Sequence, residues 1–273
     1  MTLDTSLLQR AIPDGSMRYF AWLYTPKQHR DAIAALFLLE SELRDTARAP
    51  HDVAHIRLQW WREEIDRLNK GNAQHPATRV LQESRCSSTD FSSLDGFVVS
   101  TAQDIAHSTY ESEAELHQYI SSYGSLLQVA ASFLDSSTSP QMSDAANQLG
   151  AFVRTVETLR DLRTDIHHGL LYLPLSEMDK LNIEYEQLAS KGWPPEFNQW
   201  LKQRCVGLLK QQAQLRQRLR GEEASSLRSL WVLAGLHEKL LMLLINDSAN
   251  FHQRLELGTL TKVWTAWRCA KQV

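Results

Sequence analysis

The stretch Gly150 to Pro174, GAFVRTVETLRDLRTDIHHGLLYLP, constrains the fold of this chain more than any other. Glu157, Asp161 and Asp165 recur at i, i+4 and i+8. On an α-helix that spacing stacks three carboxylates on one face, each a turn above the last. Val153, Val156, Leu159, Leu162 and Ile166 cover the rest of the cylinder, so most of its circumference calls for burial. His167-His168-Gly169 ends the helix, the two histidines reading as capping or loop residues. A largely buried helix with a ladder of acids is costly unless something positive neutralises it. That partner is either a hard divalent cation such as Mg²⁺, completing its shell with waters and phosphate oxygens, or arginines from elsewhere in the chain.

The remainder reads as helix. Glycine (11) and proline (8) are both scarce in 273 residues, which suits long helices better than a loop-rich β fold. Ala32 to Leu39 is an unbroken apolar run and therefore central to the core; it stops at Glu40-Ser41-Glu42-Leu43-Arg44-Asp45. Arg44 and Arg48 fall one turn apart, with Glu40 a turn before Arg44. Ala49 to Asp52 breaks the chain, Asp52 being the candidate N-cap of a helix over His55 to Leu68 whose tandem Trp60 and Trp61 read as core anchors. Lys70 to Pro76 reads as a loop, and CSSTDFSS within Val80 to Ser93 as the least ordered internal segment. Helices are expected over Phe97 to His107 and Glu113 to Leu134, and after a break at Ser136 to Pro140 comes the acidic helix. Beyond it lie a short helix over Ser176 to Ser190, a polar one over Glu196 to Arg220, a core helix over Leu227 to Asn246 and a last one over Leu255 to Ala270. With no strand-period segment, repeat or linker, the expectation is one all-α domain spanning residues 1–273.

Charge and motifs exclude several functions. A net charge of −3 offers no basic field for nucleic acid. Cys86, Cys205 and Cys269 form neither a zinc pattern nor a disulfide framework, as in a cytosolic protein with reduced thiols. The N-terminus does not read as a secretory signal, and Leu230 to Ile245, interrupted by His237-Glu238-Lys239, reads as a buried helix rather than a membrane span. No Walker loop, GxGxxG, nucleophile elbow, HExxH or paired CxxC is present.

Two segments resemble the squalene/phytoene synthase family of head-to-head prenyltransferases. Leu149 to Pro174 resembles its second aspartate-rich signature, with Leu159-Arg160-Asp161, Asp165, Gly169 and Tyr172-Leu173-Pro174 matching an LRDxxxD core and a G-x-x-YLP loop. RLQWWREE, Arg57 to Glu64, is similar to a second family marker. The resemblance implies an isoprenoid-synthase-type helical bundle around a central cavity, where two facing aspartate motifs hold Mg²⁺ and prenyl diphosphates. It also shows departures. Arg44 and Arg48 stand at the two aspartate positions of the first motif, leaving Asp45 inside it and Glu40 and Glu42 upstream, while Arg154 and Glu157 stand where active enzymes carry Gln and Asn. The first change alone shifts the local charge by about four units.

The site residues implied by this resemblance are Arg44, Asp45, Arg48, Arg154, Arg160 and Tyr172 toward a prenyl diphosphate or other isoprenoid or lipid-like ligand. Asp161, Asp165 and Glu157 would hold Mg²⁺, should a metal bind. Arg44 and Arg48 are expected across the cavity from Asp161 and Asp165, pairing with them or gripping the diphosphate. The similar divergent branch of the family includes a mitochondrial assembly factor for respiratory complex I, which implies a binding protein with an assembly partner. The alternative is a prenyltransferase moving farnesyl or geranylgeranyl groups, with Glu42 and Asp45 replacing the lost motif. Either role implies a cytoplasmic protein, with peripheral contact at the inner face of a membrane.

Overall fold

The computed structural model describes residues 2–85, 89–190, 192–246 and 254–273. Among them are fourteen α-helices and no strand; the lone β-bridge joins Tyr110 to Pro174. The first half of the chain forms α1 (Thr5–Ala11), α2 (Met17–Leu23), α3 (Arg30–Ala47), α4 (His51–Asn69), α5 (Pro76–Glu83) and α6 (Leu94–Ile105). The centre is a helical hairpin of α7 (Glu113–Leu134) and α8 (Pro140–His167). After it come α9 (Leu175–Leu181), α10 (Tyr185–Ala189), α11 (Pro195–Arg218), α12 (Glu222–Ser226), α13 (Arg228–Asn246) and α14 (Thr259–Lys271).

The apolar run of α3 is buried from Ala32 to Leu39, as its all-round hydrophobicity demands. α1, α5 and α6 pack around it, and α13 lies between α8, α2 and α14. The α7–α8 hairpin is the tightest junction. A Cβ on Gly150 would lie 2.7 Å from the Gly124 Cα, and one on Gly124 would lie 2.5 Å from the Asn147 carbonyl oxygen, so only glycine allows this approach. Ser112 and Ser139 cap the two helices by accepting the Glu115 and Met142 amides, and Pro140 occupies the first turn of α8. α8 ends in a Schellman arrangement: Gly169 takes φ +78°, and the Leu170 amide donates to the Asp165 carbonyl at 2.9 Å. Of the two histidines expected to cap the helix or lie in a loop, His168 is the C-cap residue and His167 is the last residue of α8.

Several boundaries differ from the sequence reading. α4 begins at His51 behind Pro50, so Asp52 is not the cap but an exposed first-turn acid favoured by the helix dipole. α5 occupies Pro76 to Glu83, between the expected loop and the expected polar patch, where no helix was expected; Cys86 to Ser88 of that patch lie outside the described residues, and Phe91 beside them is fully buried. Trp61 is a core anchor, whereas Trp60 stands 37% exposed with its ring packed edge-on against Trp61. The expected helix over Ser176 to Ser190 is two helices, divided at Asn182 in the left-handed conformation (φ 52°) and restarted by a Glu184–Gln187 capping box. α13 is long and apolar enough to cross a membrane, but it is packed inside the bundle.

Glu64 anchors the α4–α5 corner. Its fully buried carboxylate accepts from Arg67 Nε at 2.8 Å, from the Gln74 and His75 amides at 2.8 Å each, and from the Thr78 hydroxyl. Burial alone raises its pKa, but the bonds from Thr78, His75, Arg67 and Gln74 together hold it below the ordinary 4.5. A depressed carboxyl adds stability above the unfolded pKa and loses it as pH falls through the folded one. Glu64→Gln therefore costs about 1–2 kcal/mol at pH 7, a penalty that shrinks as pH falls from the ordinary 4.5 through the lower folded value, as urea unfolding at neutral and acidic pH checks.

Candidate functional site

A cavity of about 620 Å³ lies between α2, α3, α7, α8 and α13, closed on one side by Arg254 to Leu257 and Lys262 of α14. Phe37, Leu126, Leu127, Val153, Leu233 and Leu240 give it apolar walls. Its charged lining is unbalanced: seven arginines (10, 18, 44, 48, 154, 160 and 254) and Lys262 face five acids, Asp14, Glu40, Asp45, Glu157 and Glu256. A chain that is acidic overall has gathered cations here.

The ladder acids are each engaged differently. Glu157 Oε2 accepts from Arg44 Nη2 at 2.5 Å, and its other oxygen lies 3.7 Å from His237 Nε2. Burial works to raise the Glu157 pKa, but the Arg44 guanidinium, aided by His237 and Arg160, holds it well below the usual carboxylate range. Arg44 also meets Glu40 at 2.7 Å, and Glu40 accepts from Arg18 at 2.8 Å, so an Arg–Glu–Arg–Glu chain crosses from α2 through α3 to α8. Asp161 is gripped bidentately by Arg160, at 2.8 and 2.5 Å, and approached by Arg254 Nε at 3.1 Å. Asp165 has no ion pair among the described residues. Burial pushes its carboxyl up to about 6, opposed by Arg154 and Arg48 and reinforced by Asp161 and Asp104.

Behind the cavity, Asp104 of α6 collects three phenols. Its carboxylate accepts from Tyr119 at 2.7 Å, from Tyr123 at 2.8 Å and from Tyr172 at 2.8 Å. Arg154 donates to the Tyr119 hydroxyl at 2.7 Å and lies over the Tyr123 and Tyr172 rings at 4.3 and 5.0 Å. Burial raises all three phenol pKa values, so the hydroxyls stay protonated as donors.

Of the residues singled out from sequence, Arg44, Asp45, Arg48, Arg154, Glu157 and Arg160 line the cavity, and Tyr172, Asp161 and Asp165 do not. Two expectations need correcting. Arg44 pairs with Glu157, a turn nearer the start of α8, and not with Asp161 or Asp165. Asp45 and Glu42 do not face those acids; both are held by Arg10 at the outer edge, at 2.6 and 2.7 Å. Arg48 has no ion pair among the described residues. Sequence reasoning missed Asp104, Arg18, His237, Arg254 and Lys262. The only advance signal was the i, i+4 spacing of Tyr119 and Tyr123 on a buried face, which calls for an acceptor. Among the described residues, no group of three or more His, Cys, Asp or Glu side chains is placed to hold a metal ion.

Comparison with known proteins gives the architecture a context. The structure superposes on a dehydrosqualene synthase crystallised with a ligand, with a TM-score of 0.81 at 16% identity, covering 93% of this chain and 90% of that one. It also superposes on squalene synthase HpnC from Alicyclobacillus acidocaldarius, with a TM-score of 0.72 at 15% identity, covering 89% and 93% respectively. At such identities the likeness establishes the isoprenoid-synthase-type helical fold. No curated protein sequence matches the chain significantly. The family model described as squalene/phytoene synthase matches residues 14–261, nearly the whole chain, and the chain belongs to that family.

Proposed function

We propose that the cavity binds a prenyl diphosphate or a related lipid-like phosphate without magnesium, and that the protein is a non-classical, non-catalytic member of its family. The observation that carries this reading is the Arg44–Glu157 pair: a guanidinium of α3 neutralises the first acid of the ladder without a metal. The state of the other two acids supports it. Asp161 is already held by two arginines, and burial biases Asp165 toward its protonated form, which makes both poorer Mg²⁺ ligands. Arg48, with no ion pair among the described residues, and Arg154 at the inner wall are positioned to take a diphosphate, while Phe37, Leu126 and Leu233 suit an isoprenoid tail. The relative crystallised with a ligand has the same fold. A cytoplasmic binding protein at the inner face of a membrane, assisting assembly of a respiratory complex, fits such a site.

The competing reading is a prenyltransferase with Mg²⁺ on Asp161 and Asp165, favoured by their spacing of one turn on α8. Titration with farnesyl diphosphate separates the two. Binding in EDTA equal to that in Mg²⁺, weakened about tenfold by Arg48→Gln with an unchanged melting temperature, is the expected result. Pyrophosphate release that needs Mg²⁺ and is lost in Asp161→Asn would overturn it.

A further inference from the structure

Helix α14 is built inside out. Its small side chains, Ala266 and Cys269, are the buried ones, while Leu260 (85% exposed), Val263 (48%), Trp264 (61%) and Trp267 (41%) face outward. Their spacing of i, i+3, i+4 and i+7 makes one continuous stripe, along which the two indoles pack at 5.0 Å. An exposed apolar stripe with paired tryptophans marks an interaction surface rather than ordinary surface variation. The charges on the helix say what kind. Lys262, Arg268 and Lys271 are its only ionisable side chains besides Cys269, and no acid lies between Leu257 and the C-terminus. Exposed Lys271 and Arg268 sit beside the stripe, with the Lys271 ammonium 4.4 Å from the Trp267 ring.

We infer that α14 is an interfacial helix that docks this protein on an anionic lipid surface, the indoles and Leu260 entering the headgroup boundary and the cations meeting lipid phosphates. Tryptophan at the water–hydrocarbon boundary and a cationic flank on an amphipathic helix are the two features that such binding uses. The position of the helix agrees: Lys262 donates to the Gly15 carbonyl at 2.9 Å, and both Lys262 and Leu257 line the cavity. Docking through α14 therefore sets that end of the cavity beside the bilayer. The inference stands on the helix surface and does not depend on what the cavity holds.

Co-sedimentation of the full chain with vesicles tests it. Vesicles of phosphatidylcholine with about one-third phosphatidylglycerol are expected to pull down the protein, and Trp264→Glu with Trp267→Glu to weaken partitioning at least roughly tenfold. Trp264→Phe with Trp267→Phe keeps most of the binding, because apolar area is retained, and loses quenching by brominated lipid. Arg268→Gln with Lys271→Gln removes the preference for anionic over neutral vesicles. Because the stripe is exposed, circular dichroism and melting temperature remain those of the parent. Equal sedimentation of parent and Glu variants would overturn the inference. So would a parent dimer in light scattering that the Glu variants dissociate in the absence of lipid, which assigns the stripe to a second copy of the chain.

Discussion

Arg44→Met lowers the free energy of unfolding by about 3–5 kcal/mol, and adding Glu157→Gln to it restores most of the loss. Removing the guanidinium leaves two carboxylates in a place that cannot solvate them. Glu40 keeps Arg18, but Glu157 keeps His237 at 3.7 Å and the more distant charge of Arg160. Neutralising Glu157 by mutation removes the charge that was stranded, so the two substitutions are strongly non-additive. The pH dependence has a definite sign. Glu157 is depressed in the parent, so its contribution is present above the ordinary Glu value of 4.5 and is lost as pH falls through the lower folded pKa. In Arg44→Met the same carboxyl, now buried without its main partner, protonates more readily. The gap between parent and variant therefore narrows from pH 7 to pH 4. Urea unfolding of the four members of the cycle at both pH values measures this. A single-variant loss under about 1 kcal/mol would mean that solvent reaches the pair freely, and the case for a guanidinium in place of a metal would fall with it.

The sequence carried what periodicity and local chemistry encode. The apolar run of α3 and the acid ladder of α8 were legible because each is a property of one helix. So was the need for a cation near the ladder, because three stacked acids on a buried helix admit few solutions. The identity of the partner acid was not legible. Arg44 meets Glu157 and not Asp161 because α3 and α8, each packed on α7, face each other across the cavity at an offset that no single-helix pattern contains. Asp104 was invisible for a related reason. It is one acid near the end of an ordinary amphipathic helix, and its meaning comes from phenols on α7 and after α8. Arg18, Arg254 and Lys262 come from remote parts of the chain. The missed α5 was a failure of reading: Pro76 at a helix start, with Ala77, Val80 and Leu81 at helical spacing behind it, is a recognisable N-terminal signal. Trp264 and Trp267 of α14 share a face by their spacing, but whether that face is inside or outside is decided by packing.

Asp104→Ala is expected to cost about 3–5 kcal/mol, comparable to the loss of Arg44. Tyr119, Tyr123 and Tyr172 would each be left with a buried hydroxyl deprived of its acceptor, and Arg154 with a buried charge deprived of the carboxylate it reaches through Tyr119. Graded substitutions apportion the effect. Tyr172→Phe removes one phenol and costs about 1 kcal/mol. Asp104→Asn keeps an acceptor for Tyr119 and Tyr172, and its amide group donates to Tyr123, so most of what it loses is charge. That charge component is isolated by combining Asp104→Asn with Arg154→Met, which removes both ends of the electrostatic link. The double variant is expected to be less destabilised than the sum of the singles, by about 1–2 kcal/mol. Strict additivity would show that Arg154 is neutralised from elsewhere and that the tyrosine box only supports packing. Arg154 lines the cavity on one side and touches the box on the other, so coupling would make the buried carboxylate of α6 the group that fixes an inner-wall guanidinium in place. A ligand phosphate would then meet a cation whose orientation is already set by three tyrosines and an aspartate, of which Tyr123 alone lines the cavity.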